Sequence, residues 1–121
     1  MMRVLYVDDD PDIREIALMA LSLDPGLDAR GAADGIGALD VIAQWMPDLV
    51  MLDVMMPGLD GPSTLLKLRE NPATADLPVV FITARAQKQE IQNFATLDAR
   101  GVIAKPFDPM TLAQQVRAFV S

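Results

Sequence analysis

Four short apolar runs in this chain each stop at a side chain that can bind or react. Val4-Leu5-Tyr6-Val7 runs into Asp8 and Asp9, and Leu49-Val50-Met51-Leu52 runs into Asp53. Val79-Val80-Phe81-Ile82 ends at Thr83, and Val102-Ile103-Ala104 ends at Lys105. Continuous apolar runs of this length read as strands buried on both faces, the mark of a parallel sheet. In open parallel sheets, ligands bind outside the carboxyl ends of the strands. If the four runs are parallel, three carboxylates, a hydroxyl and an ammonium meet at one edge. That set suits a divalent cation together with a phosphoryl group.

Helical patterns separate the runs. Asp10 and Pro11 read as N-cap and first helical residue, and Ile13, Ile16, Ala17, Ala20 and Leu21 follow at helical spacing. Asp24-Pro25-Gly26 closes that helix with turn chemistry. Leu27 to Ala32 is a candidate strand at a sheet edge. Asp34 can cap a second helix with a stripe of Leu39, Ile42, Ala43 and Met46, stopped by Pro47. A third starts near Gly61-Pro62, carries Leu65 and Leu68, and ends at Asn71-Pro72. A polar, Gln-rich fourth helix is expected over about 86–97. Asp108-Pro109 repeats the cap-plus-proline signal, and Leu112, Val116, Phe119 and Val120 give the last helix its buried face. Five β-α units in succession imply an α/β fold with a parallel sheet, and right-handed crossovers leave few topologies open.

Composition narrows the function. The chain has 121 residues with no internal linker or repeat, the size of one domain. It has no cysteine, so neither a disulfide framework nor a thiolate metal site is possible. It has no histidine, which excludes a His-based triad, a His zinc site and a phosphohistidine carrier. A net charge of −7 repels nucleic acid and anionic membrane. No apolar stretch approaches the ~18 residues of a membrane span, and Asp8 to Asp10 come too early for a signal peptide. The expectation is a soluble, cytoplasmic protein.

The strand-end residues bear a bland reading and a chemical one. Acids favour helix N-termini through the dipole, which accounts for Asp10. It accounts poorly for Asp8 and Asp9, which follow a buried strand and repel each other unless a cation neutralises them. Magnesium typically takes one or two carboxylates, water and a phosphate oxygen. Asp53 is the candidate nucleophile, since a carboxylate can attack a phosphoryl group to form an aspartyl phosphate. A capped turn would also use an aspartate there, but the loop that follows is apolar. The Met55 backbone carbonyl can serve the cation. Thr83 can donate its hydroxyl to a phosphoryl oxygen. Lys105 is a point charge able to reach phosphate, against the alternative of a lysine snorkelling from a strand end. A cis bond at Pro106 would aim Lys105 inward, and the sequence does not fix the isomer.

Val7-Asp8-Asp9-Asp10-Pro11, Asp53-Val54-Met55-Met56-Pro57-Gly58-Leu59-Asp60-Gly61, Thr83-Ala84 and Lys105-Pro106-Phe107 together resemble the receiver domain of bacterial two-component response regulators. The resemblance spans essentially the whole chain, residues 1–121, as one receiver domain. It implies a five-stranded flavodoxin-like sheet in the order 2-1-3-4-5 with helices on both faces. It implies Mg2+-dependent phosphorylation of Asp53 by a histidine kinase or a histidine phosphotransfer protein. Asp9, Asp53 and the Met55 carbonyl would hold the magnesium directly, and Asp8 mainly through water. Thr83 and Lys105 would engage the phosphoryl oxygens and shift the surface around the fourth helix, fifth strand and fifth helix for a downstream target or output domain. The chain would then be no enzyme beyond its own phosphoryl transfer and self-dephosphorylation.

Two positions depart from that pattern. Receivers usually carry an aromatic residue three places before the lysine, and Val102 cannot perform its swing. Met55 and Arg85 occupy the places that flank the path of the hydrolytic water, and an apolar Met55 cannot orient it. Two other functions compete. A phosphohydrolase with an aspartyl intermediate would carry a second aspartate where Met55 stands. A receiver-fold interaction protein without phosphate would need an acidic pocket that fails to bind metal. No DNA-binding element follows Phe119, so the expectation is either a receiver that docks a partner or a piece of a longer chain.

Overall fold

Alternate residues of a strand face opposite sides of a sheet. A run that is apolar at every position must therefore be covered twice. The computed structural model describes residues 1–84 and 99–120. In it the runs form β1 (Met2–Val7), β3 (Leu49–Asp53), β4 (Val79–Thr83) and β5 (Gly101–Ala104), joined by β2 (Leu27–Ala32) at one edge. The order is β2-β1-β3-β4-β5 and every pairing is parallel. The described helices are α1 (Pro11–Ser22), α2 (Gly35–Gln44), α3 (Gly61–Glu70) and α4 (Leu112–Val120). The expected helix over about 86–97 lies outside the described residues. Among those described, no helix is long and apolar enough to cross a membrane.

The alternation generates two cores. Leu5, Val7, Val50, Leu52, Val79 and Phe81 pack against Ala38, Ile42 and Trp45 on the α2 side and Leu65 and Leu68 of α3. Val4, Tyr6, Met51, Val80, Ile82 and Ile103 pack against Ala17, Ala20 and Leu21 of α1 and Leu112 and Val116 of α4. β3 and β4, central in the sheet, are buried at every position. Edge strand β2 is buried only at its two ends.

Three helices begin as their sequences require. The Asp10 carboxylate accepts from the N–H groups of Asp12 and Ile13, that of Asp34 from Gly37, and that of Asp60 from Ser63. Each satisfies amides that the first turn leaves without a helical partner. Three expectations need correcting. Ile16 is exposed, because the buried stripe of α1 runs through Ala17, Ala20 and Leu21. In α2 the buried residues are Gly35, Ala38 and Ile42, continued by Trp45 just past the helix end, while Ala43 and Met46 face solvent. The larger indole fills the place that the stripe reading gave to Met46. Asp108-Pro109 does not start α4. The Asp108 carboxylate accepts from the Met110 N–H, and the first helical bond runs from Gln115 N–H to the Thr111 carbonyl.

Candidate functional site

Register brings the strand ends together. Val7 is opposite Leu52, so Asp8 and Asp53 are neighbours one residue further along. Thr83 is opposite Ala104, which places Lys105 just beyond Thr83. One ligand oxygen from each of Asp8, Asp9 and Asp53 can be chosen so that all lie within 4.8 Å of one another. Asp8 is fully buried, Asp53 is 6% exposed, and Asp9 faces solvent.

Lys105 closes the cluster. Its Nζ lies 2.7 Å from Asp8 Oδ2 and 3.1 Å from Asp53 Oδ2. Asp8 Oδ2 also accepts from the Tyr6 hydroxyl at 3.0 Å, and Asp8 Oδ1 accepts from the Asp10 N–H at 3.0 Å. Arg14 donates to the Asp8 carbonyl at 2.8 Å. Asp53 Oδ1 accepts a longer bond of 3.3 Å from the Met55 N–H. The Met55 side chain points outward and is 60% exposed. Thr83 is buried at the end of β4. The Lys105–Pro106 peptide is cis. Val102 is half-buried opposite Phe81 and packs on the α2/α3 side of the sheet. Arg85 lies outside the described residues.

The two buried carboxylates are electrostatically unlike. Burial pushes the Asp53 carboxyl up to about 6, and the charge of Asp8 adds to the rise, with Lys105 offsetting only part. Burial also opposes ionisation of Asp8, but the Lys105 ammonium, the Asp10 N–H and the Tyr6 hydroxyl outweigh it and hold the carboxyl below its usual value. Burial works against the Lys105 charge as well, yet the two carboxylates raise its pKa above that of a free lysine.

The β3–α3 loop needs glycine to reach this place. A Cβ on Gly61 would stand 2.5 Å from the Asp53 carbonyl oxygen and 2.9 Å from the Val54 Cα. Gly58 turns the same loop at φ +76°. The sequence reading gave Tyr6 no part in the site and took Gly61 only as a helix start and motif residue. A phenol inside an apolar run counts as apolar there. Its spacing of two from Asp8 was the available signal, since residues two apart share a strand face.

The fold and strand-end cluster define a known class of signalling domain. The family model of the response regulator receiver domain matches residues 4–117, and the chain belongs to that family. It is 40% identical over 121 residues to a DNA-binding dual master transcriptional regulator, RpaA, of Synechocystis sp., covering 99% of this chain and 49% of that protein. It is 35% identical over 116 residues to the DNA-binding response regulator MtrA of Mycolicibacterium smegmatis, covering 96% and 49% respectively. The chain thus spans about half the length of these relatives. Among solved structures, the Vibrio cholerae chemotaxis protein CheY4 superposes with a TM-score of 0.90 at 29% identity, over 98% of both chains. The receiver domain of the Francisella response regulator 1452 gives 0.88 at 28% identity, over 99% of this chain and 97% of that one.

Proposed function

We propose that the whole chain, residues 1–121, acts as one cytoplasmic receiver domain, with Asp53 as its phosphoacceptor. The observation that carries this reading is the placement of the Asp53 carboxylate. It is buried at a strand end, 3.1 Å from the Lys105 ammonium and grouped with Asp8 and Asp9. The donor is a phosphohistidine on a kinase or phosphotransfer protein. An Asp53 oxygen attacks phosphorus, a P–O bond forms, and the P–N bond breaks with its electron pair left on the imidazole. Asp53 thereby becomes an acyl phosphate. Lys105 supplies fixed positive charge beside the incoming oxygens, and Thr83 a hydroxyl at the next strand end.

The donor set fits magnesium: hard carboxylate oxygens, in a chain that has no cysteine or histidine. Asp9, Asp53 and the Met55 carbonyl would hold the ion, with Asp8 acting through water. When bound, it offsets charge on the phosphoryl oxygens. A cleft of 260 Å³ lined by Ile13, Ile16, Lys105, Pro106, Phe107 and Pro109 offers apolar surface beside Lys105 to a partner protein. Phosphorylation adds charge and strong acceptors next to β4 and β5. That biases the surface around β5 and α4 toward the form read by a downstream protein or output domain. The net charge of −7 argues against DNA contact by this domain. Acetyl phosphate with magnesium tests the reading by time-resolved phosphate release and protein labelling. A receiver labels once and holds the label, and Asp53→Asn does not label. Continuous turnover would point to a phosphohydrolase, and no labelling to a phosphate-independent interaction protein.

A further inference from the structure

Among the described residues, Tyr6 is the one buried side chain with a polar group at the site that has no part in the chemistry above. Its ring is fully buried in the core shared with α1 and α4. Phe107 meets it edge-on, with ring centroids 6.3 Å apart at 74°. The phenol is therefore fixed by packing, and its hydroxyl lies 3.0 Å from Asp8 Oδ2. Asp8 Oδ2 is also the oxygen that holds Lys105, at 2.7 Å. Lys105 in turn is shared with Asp53 Oδ2 at 3.1 Å. One oxygen thus has two donors, and one of those donors has two carboxylates.

We propose that Tyr6 is a positioning residue that frees Lys105 to serve a phosphoryl group on Asp53. This rests on the phosphoacceptor reading of Asp53. Phosphoryl transfer removes the carboxylate charge of Asp53 and places negative charge further out, on the new oxygens. Lys105 follows that charge and loosens its hold on Asp8. A buried carboxylate that loses a donor is costly unless another remains. The Tyr6 hydroxyl is that other donor, anchored in the core and independent of Lys105. Without it, Asp8 Oδ2 depends on Lys105 alone and keeps the ammonium from the phosphoryl oxygens.

Beryllofluoride, a stable mimic of the phosphoryl group, tests this by calorimetric titration of the full chain at saturating magnesium. Tyr6→Phe keeps the ring and deletes the hydroxyl. Its affinity for beryllofluoride is expected to fall about 3- to 10-fold, the scale of the net contribution of one typical intramolecular hydrogen bond. Tyr6 is the chain's only tyrosine, so growth on 3-fluorotyrosine alters this site alone. The fluorinated phenol is the stronger donor, and affinity is expected to rise above that of the unmodified protein. Shifts of opposite sign are not what loss of packing produces. If Tyr6→Phe fails to fold, the fluorotyrosine protein decides. Unchanged or lower affinity in the fluorotyrosine protein, or unchanged affinity in Tyr6→Phe, overturns the inference and leaves the Asp53 reading standing. Failure of the unmodified protein to bind beryllofluoride overturns both.

Discussion

Asp53 sits uncomfortably as a carboxylate, and that discomfort suits an acceptor. Its carboxyl is pushed up to about 6, while the same group in an unfolded chain titrates near pH 4. Between those values the folded state binds more protons than the unfolded one. This carboxyl therefore makes stability fall as pH rises through the window, and its cost is fully present at neutral pH. Asp8 has the opposite sign: its depressed carboxyl contributes stability above the unfolded value, lost as pH falls through the folded one. Asp53→Asn should thus raise the magnesium-free unfolding free energy at pH 7, on the order of 1–2 kcal/mol after the lost contact with Lys105 is set against it. Urea unfolding at pH 4 and pH 7 checks this, and a variant less stable than the parent at pH 7 would contradict it. A second outcome concerns the lifetime of the acyl phosphate. With an exposed, apolar Met55 side chain, no polar group at that position orients water. Met55→Asn is expected to speed phosphate release several-fold; an unchanged rate counts against the idea. Asp53 and Lys105 could be read from the sequence because each interrupts an apolar run. Tyr6 could not, because its ring obeys the apolar pattern and only its hydroxyl departs from it.

Elements position these residues through close approach of backbone. α3 begins at Gly61, directly against the carbonyl that ends β3. The Gly61 N–H also donates to the Val54 carbonyl at 3.1 Å. Gly61→Ala would push a methyl into backbone that cannot yield as a side chain can. The expected loss is about 1–3 kcal/mol, the usual scale of overpacking, with weaker magnesium binding because Asp53 moves with its carbonyl. Thermal melts and magnesium titration of the variant read both effects; a fully stable Gly61→Ala would show that the β3–α3 junction has slack. Helix starts were readable at Asp10 and Asp34, where cap chemistry is local, and near Gly61-Pro62, where the cap itself, Asp60, was not singled out. Helix faces were less so. Ile16, Ala43 and Met46 fit a helical period, but period does not say which way a helix is turned about its axis. The neighbours do: Trp45 claims the space beside Ile42, and the exposed Ile16 borders the cleft at Lys105.

The whole molecule holds like charges together at one sheet edge, in a chain already at −7. A cation that binds only the folded state must therefore stabilise it by mass action, by about 2.7 kcal/mol at a hundred times its dissociation constant. Melting temperature should rise with magnesium at fixed ionic strength, and Asp9→Asn should abolish most of the rise. An equal rise in that variant would place the ion elsewhere. Sheet order could not be read from residue pattern alone, because every run is apolar on both faces and would pair acceptably with any other. It came from resemblance, and the parallel register then set Asp8 beside Asp53 and Lys105 beyond Thr83.

The convergence of Asp8, Asp9, Asp53 and Lys105 on one acceptor carboxylate is tested most directly by locating the phosphoryl group. The protein is treated with acetyl phosphate, reduced with borohydride to convert any acyl phosphate to homoserine, and mapped by peptide mass spectrometry. The expected result is homoserine at position 53 alone, dependent on magnesium. Homoserine at another aspartate, or equal labelling after magnesium is removed, would contradict it.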